Sequence, residues 1–285
     1  MTIVLSGGGL ARIDPDVDAE DTLGLTGDGI AASIARFVSF ARAHAVAAEK
    51  SAARIAVVVA GPERRAAQQA AEWRVRLEAV EGDVRAAAAE PEGDPVDGSA
   101  AGELALEIRT IVYPRRHREP ATEALDVKPL LAIDGLVVGD GVAFDYLCAL
   151  GGRAVDVRRL VTEGVAYYGH GAGAAIAATK AIVGGTEIGG VPVCPLDADD
   201  TGPREIEIEA GLGLVDLTIE VRASGQGTLG RAIAAVESGL VDAAIAIDED
   251  TAVVIKPGDL GMIGTGSLWQ IMPGERGVNV GTVRV

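Results

Sequence analysis

The stretch Val165-Ala166-Tyr167-Tyr168-Gly169-His170-Gly171-Ala172-Gly173-Ala174-Ala175-Ile176-Ala177-Ala178-Thr179 decides the fold of this chain. It begins with a short apolar run, passes through three glycines at alternate positions and continues as an alanine-rich segment. The apolar run predicts a buried strand, and the glycines allow the backbone to reverse where a β-carbon would clash. Because alanine favours helices, we predict a strand, a sharp turn and then a helix over Ala174–Val183.

The turn has the frame of the motif Gly-x-Ser-x-Gly, in which a central serine stands at the top of a strand-to-helix turn and attacks the substrate. Gly171 takes the place of that serine here. Glycine has no side chain, so Gly171 cannot be a nucleophile. The sequence therefore raises the question of whether the chain is a hydrolase scaffold without its chemistry.

Strand and helix patterns alternate along the chain before this stretch. Apolar runs predict strands at Thr2–Leu5, Arg54–Ala60, Leu106–Tyr113 and Leu130–Val138. Apolar residues at helical spacing predict helices at Ile30–Ala47, Glu63–Val80, Val142–Leu150 and Val155–Glu163. Strands that alternate with helices pair in parallel and are joined by right-handed crossovers.

The last third of the chain is richer in short strands. Strand patterns occur at Thr218–Val221, Ala243–Ile247, Ala252–Ile255, Gly261–Ile263 and Val278–Val285, and one helix is predicted at Thr228–Ser238. We therefore predict an α/β fold, a single three-layer αβα sandwich over residues 1–285, with a mostly parallel sheet and antiparallel additions near the C-terminus. Ala86–Gly102, with its prolines and glycines, is predicted to be a mobile surface loop and not a domain boundary.

The overall charge is strongly acidic, with 42 Asp and Glu against 25 Lys and Arg, a net charge of −17. Such a field argues against nucleic acid and anionic membranes as partners and suits a cationic or neutral small ligand, or a basic peptide. Cys148 and Cys194 are too few for a disulfide framework, so we expect a cytoplasmic protein. The N-terminus lacks the basic region of a signal peptide, and no apolar run reaches the ~18 residues of a membrane-spanning helix.

Two charged clusters each allow two interpretations. Pro114-Arg115-Arg116-His117-Arg118 follows a strand at the end where open α/β sheets bind ligands, and it is either a solvated turn or an anion clamp. Asp197, Asp199 and Asp200 could hold a divalent cation, but no full set of ligands follows them, so a solvated loop is the preferred interpretation. We predict no metal site and no cofactor.

Four sets of short motifs follow one another along nearly the whole chain. They are Ser6-Gly7-Gly8-Gly9; Val137-Val138-Gly139-Asp140-Gly141; Gly169-His170-Gly171-Ala172-Gly173-Ala174; and Gly211-Leu212-Gly213-Leu214 with Leu229-Gly230-Arg231 and Ala246-Ile247-Asp248-Glu249-Asp250-Thr251-Ala252. Together they resemble the cyanophycinase and dipeptidase E family of serine peptidases. The resemblance implies a class I glutamine amidotransferase-like, flavodoxin-like fold and a peptidase ancestry.

The chain departs from that family at the residues that carry its chemistry. The family's serine falls on Gly171, and its histidine falls on Arg222 when the chain is aligned from Leu229-Gly230-Arg231. No histidine occurs after His170, so the base is missing in any register. Because serine attack needs a neighbouring base, the resemblance implies a homologue that has lost serine hydrolase activity, with a vestigial site at Gly171, His170 and Arg222.

Backbone donors of the site are predicted to remain. The amides of Ala172 and of Gly139, Asp140 and Gly141 would face an anion or a carbonyl oxygen, as in an oxyanion hole. His170, beside the vacant nucleophile position, is either functional or a turn histidine that hydrogen-bonds its own backbone.

Several other polar residues have competing interpretations. The acidic motif Asp248, Glu249 and Asp250 resembles one that lies near the family's site, but it is equally a turn that caps neighbouring amides. Cys148 is predicted to belong to the core. Ser6 and Ser224 lack the elbow geometry that aims and activates a hydroxyl.

Three functions are compatible with these features. The preferred one is an inactive peptidase homologue, a homodimer that binds a peptide or an amino-acid-derived ligand or has a structural role. The second is an active cyanophycinase-like hydrolase whose chemistry has moved to His170, Ser6 or a bound water. The third is a regulatory subunit of an active homologue.

Overall fold

The structure of the protein, a computed structural model, describes residues 1–8, 28–89, 104–115, 123–196 and 202–284. Its strands are β1 (Ile3–Ser6), β2 (Ala52–Gly61), β3 (Ala105–Pro114), β4 (Gly135–Val138), β5 (Ala166–His170), β6 (Lys180–Gly184), β7 (Glu187–Ile188), β8 (Val191–Pro192), β9 (Glu207–Ala210), β10 (Thr218–Val221), β11 (Ala244–Ile247), β12 (Thr251–Lys256), β13 (Asp259–Gly264), β14 (Ser267–Pro273) and β15 (Val278–Arg284). Its α-helices are α1 (Asp28–Ala47), α2 (Glu63–Ala89), α3 (Ala143–Leu150), α4 (Ala154–Thr162), α5 (Ala172–Ala175) and α6 (Leu229–Glu237).

Seven strands form the main sheet, in the order β13-β12-β1-β5-β4-β2-β3. The five strands from β1 to β3 in that order are parallel neighbours, whereas β12 and β13 are antiparallel additions beside β1. In this register Ser6 lies beside His170, and Val138 lies beside Gly169. The carboxyl ends of β1, β5 and β4 therefore meet at one place, where open α/β sheets bind ligands.

Helices cover both faces of the main sheet. On one face α1 and α2 pack Phe37 and Trp73 against Tyr168 of β5. On the other face α3 and α4 contribute Tyr146 and Val157 to a second apolar cluster. Strands buried between two helical layers are apolar on both sides, which explains the continuous apolar runs in the sequence.

A second sheet lies in the last third of the chain, with the strand order β10-β11-β14-β15. β10 and β11 are parallel, and β14 and β15 are antiparallel additions to them. Helix α6 packs against this sheet through Ala232, Ala235 and Val236. The prediction of an α/β fold with a largely parallel central sheet and antiparallel strands near the C-terminus is confirmed, although the antiparallel strands are divided between two sheets.

The alanine-rich segment after the glycine turn does not form the predicted helix. Helix α5 ends at Ala175 and the chain continues into β6, so the prediction of a helix over Ala174–Val183 is wrong. The carbonyl groups that would have continued the helix accept other amides: Leu212 bonds to Ile176, Leu214 to Ala177 and Gly213 to Ala178. Tertiary hydrogen bonds thus override the helix propensity of alanine.

Two further predictions differ in extent from the structure, and one strand was not predicted. The strand predicted at Leu130–Val138 begins only at Gly135, because a short 3-10 turn at Lys128–Leu130 precedes it. Helix α2 runs on to Ala89, into the segment predicted as a loop, and the rest of that segment lies outside the described residues. The strand β14 was not predicted.

One described helix is long and apolar enough to cross a membrane by length and composition, namely residues Gly29–Ala47 of α1. Its apolar residues are interrupted by Arg36, Arg42 and His44, so they do not form the continuous apolar run that predicts such a helix. In the fold this helix buries Ile30, Ile34, Phe37 and Val38 against the main sheet.

Candidate functional site

The turn between β5 and α5 is the centre of the candidate site. Gly171 has φ +53° and ψ −111°, in the half of backbone space that residues with a side chain rarely adopt. Its amide donates to the carbonyl of Ser6 at 3.0 Å, and its carbonyl accepts from Ala174 and Ala175 at 2.9 and 3.0 Å. The turn is therefore a tight elbow between a strand and a helix, as the glycine frame predicts.

The two flanking glycines serve close packing. Gly169 and Gly173 do not have positive φ angles. A β-carbon on Gly169 would lie 2.6 Å from the carbonyl oxygen of Gly173, and one on Gly173 would overlap the carbonyl of Val138. Only Gly171 needs glycine for its backbone angle, and its neighbours need it for space.

The space that a side chain on Gly171 would need is filled by Asp140. A β-carbon built on Gly171 would lie 2.8 Å from Oδ2 of Asp140 and closer still to its Oδ1 and Cγ. Asp140 follows β4, which is the neighbour of β5 in the sheet. An internal carboxylate therefore stands where a serine at position 171 would stand.

The predicted backbone donors of the site bind this carboxylate. Oδ1 of Asp140 accepts the amides of Gly141 at 2.8 Å and Ala172 at 3.1 Å. The amide of Gly139 instead donates to Val58 of β2 at 3.0 Å, so it presents no donor to the site. Two of the four predicted oxyanion donors are thus occupied by an anion that belongs to the chain itself.

Arg222 completes the binding of Asp140. Its Nη2 donates a short hydrogen bond to Oδ1 of Asp140. Burial alone would raise the pKa of Asp140, but the charges of Arg222 and then His170, together with the hydrogen bonds from Arg222 and Ala172, leave that pKa lowered. Asp140 is therefore a stable carboxylate held by a guanidinium and two amides.

The loop after β1 brings Arg222 to the elbow. The amide of Arg222, which has φ +60°, donates to the carbonyl of Gly7 at 3.0 Å. A β-carbon on Gly8 would lie 3.2 Å from Nε of Arg222 and 3.3 Å from Cα of Gly171. The absence of a side chain at Gly8 therefore leaves room for Arg222 to reach Asp140. Gly9 lies outside the described residues.

A small cleft of about 70 Å³ opens beside the elbow, where Gly141 and Ala172 contribute to its lining. Its charged lining residues are Arg204, Glu220, Arg222 and Arg231. Arg231 donates two hydrogen bonds to Glu220, at 2.7 and 2.8 Å. Guanidinium groups therefore outnumber carboxylates in the lining, which does not support the cationic ligand that the net charge suggested.

Ser6 and His170 form a hydrogen-bonded pair, with 3.0 Å between Oγ of Ser6 and Nδ1 of His170. Both residues are fully buried, and neither lines the cleft. Burial lowers the pKa of His170 to about 4, with the charge of Asp140 opposing that shift. His170 thus hydrogen-bonds the side chain of Ser6. The sequence suggested a hydrogen bond to its own backbone instead.

The acidic motif Asp248-Glu249-Asp250 binds backbone and side-chain donors. Asp248 accepts the hydroxyl of Ser224 at 2.6 Å, the amide of Ser267 at 2.8 Å and Nε1 of Trp269 at 2.9 Å. Glu249 accepts the amide of Gly225, and Asp250 that of Ile30. These contacts are those of a turn that caps neighbouring donors, one of the two interpretations of this motif.

Arg115, the first arginine of the basic cluster, is neither solvated nor free to clamp a ligand. It is buried, and its Nε donates to Oδ1 of the buried Asp145 at 2.8 Å. The solvated-turn interpretation is therefore wrong for Arg115. The rest of this cluster, Arg116-His117-Arg118, and the trio Asp197, Asp199 and Asp200 lie outside the described residues.

Cys148 packs at the margin of the apolar cluster on the α3 side of the sheet. Burial raises the pKa of its thiol, and the charge of Arg115 only partly offsets that shift. The thiol form is favoured, which is unsuited to a nucleophile.

The fold and the elbow define a class of protein: a three-layer α/β sandwich with a strand-turn-helix elbow at the carboxyl ends of its parallel strands. No family model and no curated protein sequence matches the chain. Among solved structures, the chain is similar to a peptidase from an acI-B1 Actinobacterium, with a TM-score of 0.53 and 10% identity over 100% of this chain and 96% of the other. A peptidase E candidate from Listeria monocytogenes EGD-e matches with a TM-score of 0.43 and 13% identity over 93% and 98% of the two chains. The first similarity shows that this chain shares the α/β fold of that peptidase.

The sequence did not reveal that the side chain of Asp140 occupies the elbow. It predicted a role only for the backbone amide of Asp140, because the motif around this residue resembles a loop of hydrogen-bond donors. The signal that could have revealed the occupant is the joint presence of an acidic residue at 140, a glycine at 171 and an arginine at 222.

Proposed function

We propose that this protein is a peptidase-fold homologue that has lost serine hydrolysis and binds the carboxylate group of a peptide or an amino-acid-derived ligand at the elbow. The observation that supports this proposal is the carboxylate of Asp140 in the space of the missing nucleophile. That carboxylate accepts hydrogen bonds from Gly141 and Ala172 and is paired with Arg222.

The loss of hydrolysis follows from the chemistry of these groups. An attack on a carbonyl carbon needs a nucleophile and a base, and residues 171 and 222 supply neither. The oxyanion donors would also be blocked, because a developing oxyanion would have to compete with the full negative charge of Asp140. This elbow therefore lacks both a nucleophile and the stabilisation of the oxyanion that an attack would form.

The binding role follows from the same donors. Two amides and a guanidinium that hold an internal carboxylate have the chemistry to hold an external one. The adjoining cleft, with Arg204 and Arg231 in its lining, would accommodate the rest of a small ligand. In the native protein such a ligand must displace Asp140, so its affinity depends on how readily that side chain turns away.

The test is to remove the internal carboxylate and offer an external one. We expect the variant Asp140→Ala to bind acetate or N-acetylglycine in a calorimetric titration more tightly than the native protein does. The double variant Asp140→Ala with Arg222→Met should lose that binding, because the guanidinium is gone. Asp216→Ala, at an exposed position, is the matched control and should behave as the native protein. Binding by Asp140→Ala no tighter than by the native protein would contradict the proposal.

Activity is tested separately. We expect no turnover above background on ester and peptide substrates, including β-aspartyl-arginine and aspartyl dipeptides, and no labelling by a fluorophosphonate. Turnover that a single substitution at the elbow abolishes would reject the loss of activity.

The hydrogen bond between Ser6 and His170 favours a second candidate, a hydrolase whose nucleophile has moved to Ser6. In that case a fluorophosphonate labels the native protein, and both Ser6→Ala and His170→Gln abolish labelling. Complete burial of both residues argues against access by a substrate. The homodimer and the regulatory partner remain predictions, which sedimentation and co-purification would test.

A further inference from the structure

A second group of polar side chains lies on the other side of the elbow, between α2 and the main sheet. Trp73 and Arg76 are three residues apart on α2, so they project from one side of the helix. The rings of Trp73 and His170 meet edge to face, with centroids 5.5 Å apart. Cζ of Arg76 lies 5.8 Å from the centroid of the Trp73 ring.

These three side chains are buried and carry polar atoms that lack partners. The exposed fraction is 0% for Trp73, 4% for Arg76 and 0% for His170. Among the described residues no hydrogen-bond partner is found for Nε1 of Trp73, for any of the three guanidinium nitrogens of Arg76 or for Nε2 of His170. Buried polar atoms in proteins nearly always have a partner, and an unpaired buried cation is especially costly.

The unpartnered atoms share one chemical need. The indole nitrogen and the guanidinium nitrogens are donors only. Nε2 of His170 is a donor in the tautomer in which the hydroxyl of Ser6 donates to Nδ1, and an acceptor in the other. A partner for Trp73 and Arg76 must therefore accept hydrogen bonds and supply negative charge, and it would select the tautomer of His170 that donates from Nε2.

The charges of the neighbourhood agree with this need. Burial lowers the pKa of Arg76, and the charge of Glu72, one turn earlier on α2, opposes that shift. Glu72 is partly exposed, and it makes no ion pair with Arg76 within 4.0 Å among the described residues. The charge of Arg76 also lowers the pKa of His170, after the larger effect of burial and in opposition to Asp140. Arg76 is thus a buried cation whose guanidinium no carboxylate of the described residues contacts.

We propose that Arg76, Trp73 and His170 form a binding site for a small oxyanion, a carboxylate or a phosphate group. The guanidinium of Arg76 would bind two oxygens of the ion, since its parallel N–H groups match that geometry. Nε1 of Trp73 and Nε2 of His170 would donate to the remaining lone pairs. The site is separate from the elbow cleft, so it can exist whether or not the proposed function is correct.

The test uses Trp73 as its own reporter. The chain has two tryptophans, so the variant Trp269→Phe leaves Trp73 as the only one. The full chain in this background is dialysed against a buffer without oxyanions and titrated with sodium acetate or with sodium phosphate. We expect a saturable change in tryptophan emission and a saturable rise in the thermal midpoint with one of the two salts. The salt that acts at the lower concentration shows whether the site prefers a carboxylate or a phosphate group.

Sodium chloride at matched ionic strength is the control for screening. On chloride, a single atom, two N–H groups of a guanidinium must converge on one point instead of each meeting its own oxygen, so we expect at least tenfold weaker binding. An equal response to chloride and to both oxyanions would overturn the assignment.

Two variants separate binding at Arg76 from general effects. Arg76→Met should abolish both responses, whereas Arg74→Met, at a 46% exposed position on the same helix, should keep them. If Arg76→Met does not fold, Arg76→Lys is the substitute, because lysine retains the charge without the parallel N–H groups. It should bind the oxyanion at least tenfold more weakly. The proposal is wrong if the native site gives no saturable response, the result expected if a carboxylate of the chain itself neutralises Arg76. It is equally wrong if Arg76→Met or Arg76→Lys responds as the native protein does.

Discussion

Arg222 donates from Nη2 to Oδ1 of Asp140, across the elbow at Gly171. The family resemblance puts Arg222 at the position of a catalytic histidine. It predicts that the motif around Asp140 supplies backbone hydrogen-bond donors. The two residues form an ion pair beside Gly171. A negative charge is therefore already present at the elbow, where it is paired with a guanidinium.

The substitution Gly171→Ser should destabilise the protein without creating a hydrolase. The new side chain would meet the carboxylate of Asp140, and residue 171 has φ +53°. We expect a loss of at least about 2 kcal/mol in the free energy of unfolding, from backbone strain and overpacking. Urea denaturation measures the loss, and a fluorophosphonate measures nucleophilicity.

A matched control is Gly151→Ala, because a β-carbon at Gly151 would meet nothing within 4 Å and φ there is −57°. It should change stability by less than about 1 kcal/mol. An unchanged stability of Gly171→Ser would show that Asp140 can leave the elbow freely.

The substitution Arg222→Met should cost more stability at neutral pH than in acid. In the native protein the pKa of Asp140 lies below its ordinary value, so its stabilising contribution is present above about pH 4 and is lost as the pH falls further. Without Arg222 the effect of burial should dominate and raise that pKa. The variant would then relieve its buried charge by taking up a proton as the pH falls.

We expect a loss of about 3 kcal/mol at pH 7, since removal of one partner leaves the other charge buried. The loss should shrink as the pH falls through the raised pKa of Asp140 in the variant and on towards pH 3.5. Urea denaturation of both proteins at pH 7 and pH 3.5 measures this. Arg54→Met is the control, because the pair of Arg54 and Glu107 is half exposed, and it should cost less than about 1 kcal/mol at both values. A loss that is equal at the two pH values would argue against a charged Asp140.

His170 should make the native protein less stable as the pH falls from about 6.5 to 4. The folded state keeps the imidazole neutral, with a pKa of about 4, whereas the unfolded chain binds a proton near its ordinary value of 6.5. The unfolded state is therefore favoured progressively within that window, by roughly 3 kcal/mol in total.

The variant His170→Gln lacks this titration, so its stability should decline less between pH 7 and pH 4.5. Denaturation in buffers free of acetate and phosphate measures the difference. NMR of the native imidazole should show a neutral ring at pH 5.5. A protonated ring at that pH would contradict the burial of His170.

Arg115 and Asp145 should contribute to stability as a buried pair. Their side chains are 3% and 1% exposed. We expect Arg115→Met to lose about 3–5 kcal/mol, because Asp145 would remain charged in the interior. The double variant Arg115→Met with Asp145→Leu should recover part of that loss in thermal or urea unfolding.

The comparison for this pair is Arg159→Met, because Arg159 is 58% exposed and lies 3.7 Å from Asp156. It should cost less than about 1 kcal/mol. If Arg115→Met and Arg159→Met cost the same, the pair at Arg115 is not a buried ion pair in solution.

The sequence by itself determined the α/β class, the parallel strands and the tight elbow. Apolar runs and helix-spaced residues are local properties, and Gly171 marks a backbone angle that other residues resist. The absence of a serine at 171 and of a histidine after 170 is also visible in the sequence alone.

Only the tertiary structure decided which groups meet at the elbow. The segment after Ala175 leaves its predicted helix because the amides of residues 212–214 bind its carbonyls, and these residues are distant in sequence. Asp140, Gly171 and Arg222 come from three separate parts of the chain. No local pattern could therefore show that the carboxylate of Asp140 fills the space of a side chain at Gly171. The burial of Arg76 without a hydrogen-bond partner among the described residues likewise depends on the tertiary fold, which periodicity does not encode.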